Sequence, residues 1–249
     1  MSFGKQAKSH RNCIKVKTRA VNRLMIKVCV LLPAYNEEKE IGKILNQIKA
    51  YDLDVIVVDD GSTDNTVNIA KQAQVMVISH PQNQGKGQAL RTGFKFIQDH
   101  NYDAVIIMDS DGQHLPQEIN SFIDYAMNSD AGIIIGNRME NPQGMPLLRK
   151  LTNKFTSMLV SFIVKTKIPD SQCGFRLIRS SVLKKLNLTT IKYDTESEIL
   201  MQAAKNKAKI EFIPVKSIYN NHKSLINPFS DTIRFCNLIR KSIFSKWNQ

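Results

Sequence analysis

Two carboxylates one residue apart, Asp109 and Asp111, follow the apolar run Ala104-Val105-Ile106-Ile107-Met108. A run this short, rich in Ile and Val and ending abruptly in polar residues, predicts a buried parallel strand. Strand side chains alternate, so Asp109 and Asp111 leave its carboxyl end on one side. In open α/β sheets ligands bind at that end. Two hard oxygen ligands there suit Mg²⁺ or Mn²⁺ carrying a phosphate. Read alone, Asp-Ser-Asp-Gly is more often a solvated turn. The rest of the chain shifts the balance.

Three more polar clusters end predicted strands. Tyr35-Asn36-Glu37 follows Ile26–Leu32, Asp59-Asp60-Gly61-Ser62 follows Val55–Val58, and Gly136-Asn137-Arg138 follows Ala131–Ile135. Helical segments separate them. Ile41, Ile44, Leu45 and Ile48 recur at helical spacing. Ser62 or Thr63 is placed to cap the helix after the second strand. A Gly85-Lys86-Gly87 loop leads into a helix carrying Ala89, Leu90, Phe94 and Ile97. Strand and helix alternate with short connections, which predicts an α/β fold with a doubly wound, mostly parallel sheet. After residue 140 the pattern changes to a long helix over about 147–165, the stretch Gly174–Ile178, two helical segments, a strand at Ile210–Val215 and a last helix over 229–247.

The 249 residues fit one large domain with appendages. The net charge is +13, but residues 1–24 hold seven basic residues and no acid, and without them the charge is +6. Residues 1–24 are therefore read as a basic, disordered extension, or as sequence upstream of a start at Met25. Nucleic-acid binding is disfavoured, because the charge sits mostly in this tail and no aromatic stacking array accompanies it. The 4 cysteines are scattered, with no C-x-x-C spacing, so neither a zinc site nor a disulfide framework is expected. No apolar run approaches a membrane span, and no secretory leader is expected.

The polar clusters together carry a resemblance. Pro33-Ala34-Tyr35-Asn36-Glu37, Asp59-Asp60-Gly61-Ser62-x-Asp64, Asn83-x-Gly85-Lys86-Gly87, Asp109-Ser110-Asp111-Gly112-Gln113-His114, Gly136-Asn137-Arg138 and Asp170-Ser171-Gln172-Cys173-Gly174-Phe175-Arg176 occur in that order. The chain thus resembles the inverting family 2 glycosyltransferases with the GT-A fold, nearest to the dolichyl- or polyprenyl-phosphate mannose and glucose synthases. The resemblance covers about residues 26–225.

It implies a nucleotide-sugar donor, UDP- or GDP-linked, and a polyprenyl phosphate acceptor. Pro33, Tyr35, Glu37 and Asp60 would line the nucleoside pocket, with Asp60 on the base and Glu37 on the ribose. Asp109 and the Ser110 backbone would lie beside the donor. Asp111 and Gln113 would hold Mg²⁺ or Mn²⁺, with Asp109 as a further candidate ligand. Lys86 is either a diphosphate contact or a solvated loop lysine, and Asp64 a helix N-terminal carboxylate before it is a ligand. Arg138 would contact phosphate and serve catalysis with Asp111. Arg149 and Asn153, one helical turn apart, match an acceptor-phosphate pair, although the second position is often serine in the family. Arg176 is either a phosphate ligand or the structural partner of a buried carboxylate. Family members carry a Gly-Glu-Ser-Lys-like loop where this chain reads Tyr219-Asn220-Asn221-His222-Lys223-Ser224. That departure leaves Lys223 as the donor-contact candidate there.

A polyprenyl acceptor requires a membrane surface. Leu148, Leu151, Phe155, Met158, Leu159 and Phe162 form one stripe on the helix over 147–165, with Arg149, Lys150 and Lys154 near its start. Phe229, Ile233, Cys236, Ile243 and Trp247 form another on the last helix. Each stripe suits either an interfacial helix or core packing. The expected organisation is a basic extension (1–24), a GT-A domain (25–227) and a C-terminal amphipathic helix (228–249), held peripherally on the cytoplasmic face of a membrane. Nothing in the sequence fixes the number of subunits. The rival reading is transfer to a glycan, whose hydroxyl acceptor needs a general base; Asp170 is the only nearby candidate.

Overall fold

Val28–Ala34 (β1) is buried at every position and is an interior strand of the sheet. It pairs in parallel with Asp54–Asp59 (β2) on one side and Ala104–Ile107 (β4) on the other, Leu31 lying between Ile56 and Ile107. Met76–Ser79 (β3) extends the β2 side in parallel. Ile133–Asn137 (β5), Arg176–Arg179 (β6) and Ile210–Pro214 (β7) complete a seven-stranded sheet of order β3-β2-β1-β4-β6-β5-β7. This computed structural model describes residues 26–190 and 194–219. The extension 1–24, Lys223 and the helix expected over 229–247 lie outside the described residues.

The sheet is parallel except at β6, which runs antiparallel to β4 and β5. The sequence pattern left Gly174–Ile178 without a direction. The Asp170–Phe175 segment has already returned the chain to the carboxyl ends of the parallel strands, so the next strand runs away from them. β6 therefore begins where β4 and β5 end, with Arg176 opposite Ile107 and Ile135.

Helices Ile41–Ile48 (α1), Thr66–Gln72 (α2), Lys86–Gln98 (α3), Ile119–Asn128 (α4), Leu147–Val164 (α5), Ser180–Leu183 (α6) and Thr195–Lys205 (α7) flank the sheet. α1 buries Ile41, Ile44, Leu45 and Ile48, the spacing read from the sequence. The helix after β2 starts later than expected, and neither Ser62 nor Thr63 caps it. The chain runs from β1 outward to β3, then crosses to β4 on the other side of β1. This topological switch opens a crevice at the carboxyl ends of β1 and β4, where such sheets bind ligands.

Candidate functional site

The loops after β1 and β2 are sewn together. Asn36 (φ 56°) donates its amide to Ser62 Oγ (2.9 Å) and accepts from the Thr63 amide (2.8 Å). Glu37 N donates to Thr66 Oγ1 at 2.7 Å, and Glu38 N to Asp64 at 3.1 Å. Ser62 and Asp64 are thus loop staples. Gly61 (φ 76°) passes so close to Gln82 that a Cβ would sit 2.5 Å from its carbonyl carbon. The Tyr35 ring is left exposed beside this seam, and Pro33 is buried in the strand. Ser110 ties β4 to β1 by donating to the Pro33 carbonyl at 2.7 Å.

Asp60 is buried. Its carboxylate accepts from the Gln84 and Gly85 amides (3.0 and 2.7 Å) and lies 2.7 Å from His80 Nδ1. His80 Nε2 continues the chain to Thr92 Oγ1 at 2.9 Å. Asp60 therefore shapes the Gln84–Gly85 loop.

Beside this loop lies a charge cluster. Lys86 Nζ is 2.6 Å from both Asp109 Oδ1 and Glu196 Oε1. The other Asp109 oxygen lies 3.3 Å from His114 Nε2. Burial alone would raise the Asp109 pKa, but Lys86 and His114 outweigh it and hold the carboxyl well below the usual range. Burial opposes charge on Lys86 too, yet Asp109 and Glu196 keep it firmly protonated. Lys86 is therefore no solvated loop lysine; it opens α3 and clamps β4 to α7. Gly174 makes room for this arrangement, since a Cβ there would sit 2.6 Å from an Asp109 oxygen.

Asp111 accepts from the Gln113 main-chain amide at 3.0 Å. Burial, then the neighbouring charges of Asp111 and Asp109, push the Glu37 carboxyl up to about 7. This edge of the crevice is an excess of oxygen donors.

The predicted phosphate contacts divide. Arg138 is 5% exposed and turned inward, its Nε and Nη2 gripping Asp170 at 2.8 and 2.9 Å. Asn153 is also buried, donating to Asp170 Oδ1 at 2.8 Å and accepting from Ser157 Oγ at 3.0 Å. Arg176 is 1% exposed and donates to the carbonyls of Cys173, Glu196 and Ser171 (2.6–2.8 Å). It is neither a phosphate ligand nor a carboxylate partner but a brace that ties the Ser171–Cys173 loop to the start of α7. Burial would raise the Asp170 pKa, but Arg138 and the hydrogen bonds from Arg138 and Asn153 lower it. Asp170 is fully buried with both oxygens engaged by Arg138 and Asn153, which seals it from an acceptor hydroxyl.

Arg149 differs. It stands half-buried in the first turn of α5 and donates through Nη1 to Gln113 Oε1 at 3.0 Å. Its guanidinium also lies over the Tyr219 ring, 5.4 Å from the centroid. The segment bearing Tyr219 is pinned to the same loop, with Ile218 N donating to Gln113 O at 3.0 Å. Below Arg149, α5 buries Asn153, Ser157 and Val160 and exposes Leu148 (70%), Leu151, Phe155, Met158 and Phe162 (83%). Core packing of that stripe is thus overturned, except for Leu159, which packs on the core.

The sequence profile of Glycosyl transferase family 2 matches residues 29–187. The chain belongs to that family. It is 35% identical over 218 residues to the UDP-N-acetylglucosamine--dolichyl-phosphate N-acetylglucosaminyltransferase of Methanococcus voltae, covering 78% of this chain and 87% of that protein. It is 26% identical over 200 residues to the polyprenol monophosphomannose synthase of Mycolicibacterium smegmatis, covering 75% of each. Among solved structures, the glucosyl-3-phosphoglycerate synthase of Mycobacterium tuberculosis, in complex with Mn²⁺, UDP and phosphoglyceric acid, superposes with a TM-score of 0.67 at 18% identity. That likeness covers 88% of this chain and 78% of that one, and shows the shared GT-A fold.

Within this family 2 glycosyltransferase, Glu196 was missed by sequence reading. Its signal was faint: two glutamates, 196 and 198, in a helix buried at every position from Thr195 to Met201. His114 was visible as part of a motif but had no assigned role. Burial pushes the Cys29 thiol up to about 12 and the Cys173 thiol up to about 11. No described helix is long and apolar enough to cross a membrane.

Proposed function

We propose that this enzyme transfers a hexose from a UDP- or GDP-linked donor to a polyprenyl phosphate at a membrane surface, inverting the anomeric carbon. One observation carries the reading. Arg149 reaches the Asp111–Gln113 loop from the head of a helix whose outer stripe is apolar and exposed. A phosphate held by that guanidinium would lie at the donor site, while its chain ran along the stripe. The guanidinium fork suits phosphate, and a basic amphipathic helix suits the interface. The named activities of the Methanococcus voltae and Mycolicibacterium smegmatis relatives support the same acceptor class.

The nucleoside would stack on Tyr35, bounded by Pro33, Glu37 and the Asp60 loop, with Ser110 and Asp109 beside the sugar diphosphate. Among the described residues no three His, Cys, Asp or Glu side chains form a complete metal cage. The donor set at Asp111 and Gln113 is all oxygen. It fits Mg²⁺ or Mn²⁺ completed by substrate phosphates, the usual arrangement for these ions. Bound there, the ion would neutralise the departing diphosphate. Lys86 fixes Asp109 and leaves Asp111 as the carboxylate free to serve the cation.

An alcohol acceptor would need a general base, and Asp170 is sealed against Arg138. A phosphate acceptor is already anionic at neutral pH and needs none. The domain is proposed as residues 25–227, with residues 228–249 adding a second interfacial segment.

Arg149→Ala tests the reading. Losing a charge-assisted phosphate contact costs about 2–3 kcal/mol, or roughly 30- to 150-fold. That loss should appear in the KM for polyprenyl phosphate, with donor affinity by calorimetry unchanged. Equal loss of both would put Arg149 in the donor site.

A further inference from the structure

Gln113 Oε1 faces two claims. In this structure it accepts from Arg149 Nη1 at 3.0 Å. In the proposed mechanism, on which this inference rests, the same oxygen faces a divalent cation. Magnesium sits roughly 2 Å from its oxygens. A guanidinium and a divalent ion on one amide oxygen would bring like charges within about two bond lengths of each other, inside a partly desolvated crevice where repulsion is strong. The two therefore compete for this oxygen.

We propose that Gln113 is a hand-over point: it holds Arg149 until the donor's cation arrives, and the cation then frees Arg149 for the acceptor phosphate. The surroundings permit the move. Arg149 makes no described ion pair, and its other described contact is the Tyr219 ring, which tolerates sliding of the guanidinium plane. The backbone of Gln113 stays in place, because its main-chain N–H donates to Asp111 Oδ1 and its main-chain carbonyl accepts from Ile218 N, so the base of the side chain is anchored. Arg149 is therefore the moving part and Gln113 the fixed one. The consequence is order: donor and cation first, acceptor second. An acceptor arriving first meets an arginine already engaged.

The test is equilibrium binding of farnesyl phosphate to the full chain in EDTA, and in Mn²⁺ with UDP or GDP. Affinity should rise roughly 5- to 150-fold on loading, the usual range of coupling between sites. By linkage, farnesyl phosphate should tighten Mn²⁺ binding, followed by electron paramagnetic resonance, by the same factor. Direct attraction between cation and phosphate would also give that sign, so the variants decide. In EDTA, Gln113→Ala should bind farnesyl phosphate more tightly than wild type, because Arg149 is already free. Gln113→Glu should bind it more weakly, because a carboxylate holds Arg149 harder. Equal affinity in EDTA for wild type and both variants, with Arg149→Ala still losing binding, would overturn the hand-over and leave the acceptor assignment standing. No farnesyl phosphate binding in any state, or loss matched by inorganic phosphate alone, would overturn the lipid-acceptor reading and the hand-over with it.

Discussion

Lys86 Nζ lies 2.6 Å from Asp109 Oδ1 and 2.6 Å from Glu196 Oε1, so one lysine joins the end of β4 to the start of α7. Removing it leaves two carboxylates facing each other with no cation between them. Breaking a buried pair by deleting one partner costs about 3–5 kcal/mol. Because Lys86 and Asp109 are only partly buried, Lys86→Met should lower urea-unfolding stability by less than that, about 1–3 kcal/mol. A change under about 0.5 kcal/mol, as for a surface residue, would mean the clamp does not exist in solution.

Arg138 should likewise behave first as a structural residue. Its two bonds to Asp170 lie at 2.8 and 2.9 Å in a buried setting. Arg138→Met should cost about 3–5 kcal/mol, because Asp170 keeps its charge without a partner. Adding Asp170→Asn in the same chain should recover a good part of that, a coupling a double-mutant cycle reads directly. Additive losses would place Arg138 in contact with substrate rather than with Asp170.

Glu37 gives a pH dependence. Its carboxyl is raised from 4.5 to about 7 in the folded chain, by burial first and by Asp111 and Asp109 next. The folded state therefore holds a proton that the unfolded state releases at lower pH. This contribution is fully present below about pH 4.5 and is lost as pH rises through about 7. In EDTA, Glu37→Gln should remove that loss, so Tm compared at pH 5 and pH 8 should fall less than in wild type. For a domain of this size about 1 kcal/mol is roughly 2–4 °C. Parallel curves for the two proteins would show that Glu37 is ionised throughout.

The strands and the site edge were legible because short apolar runs ending in Asp, Asn or Glu have one reading in an α/β sheet. Asp109, Asp111, Glu37 and Tyr35 all gather at that edge. The direction of β6 was not legible, since its four residues carry no signal of which end faces the crevice. Partners across the chain were also hidden. Arg138 and Asp170 are 32 residues apart, Lys86 and Glu196 110. Arginine at a strand end reads equally as phosphate ligand and as buried counter-ion, and only packing separates the two. Arg149 is the converse: helical spacing placed it beside Asn153, but the fold turns Asn153 inward and Arg149 toward Gln113.

The central claim is transfer to a lipid phosphate. The purified chain should be incubated with radiolabelled UDP- and GDP-sugars, polyprenyl phosphate and Mg²⁺ or Mn²⁺, then extracted with organic solvent. Label should enter the organic phase with one donor, and chelation with EDTA should abolish it. Label that stays in the aqueous phase with every donor, while appearing on a glycan hydroxyl or a soluble phosphate acceptor, would contradict the account.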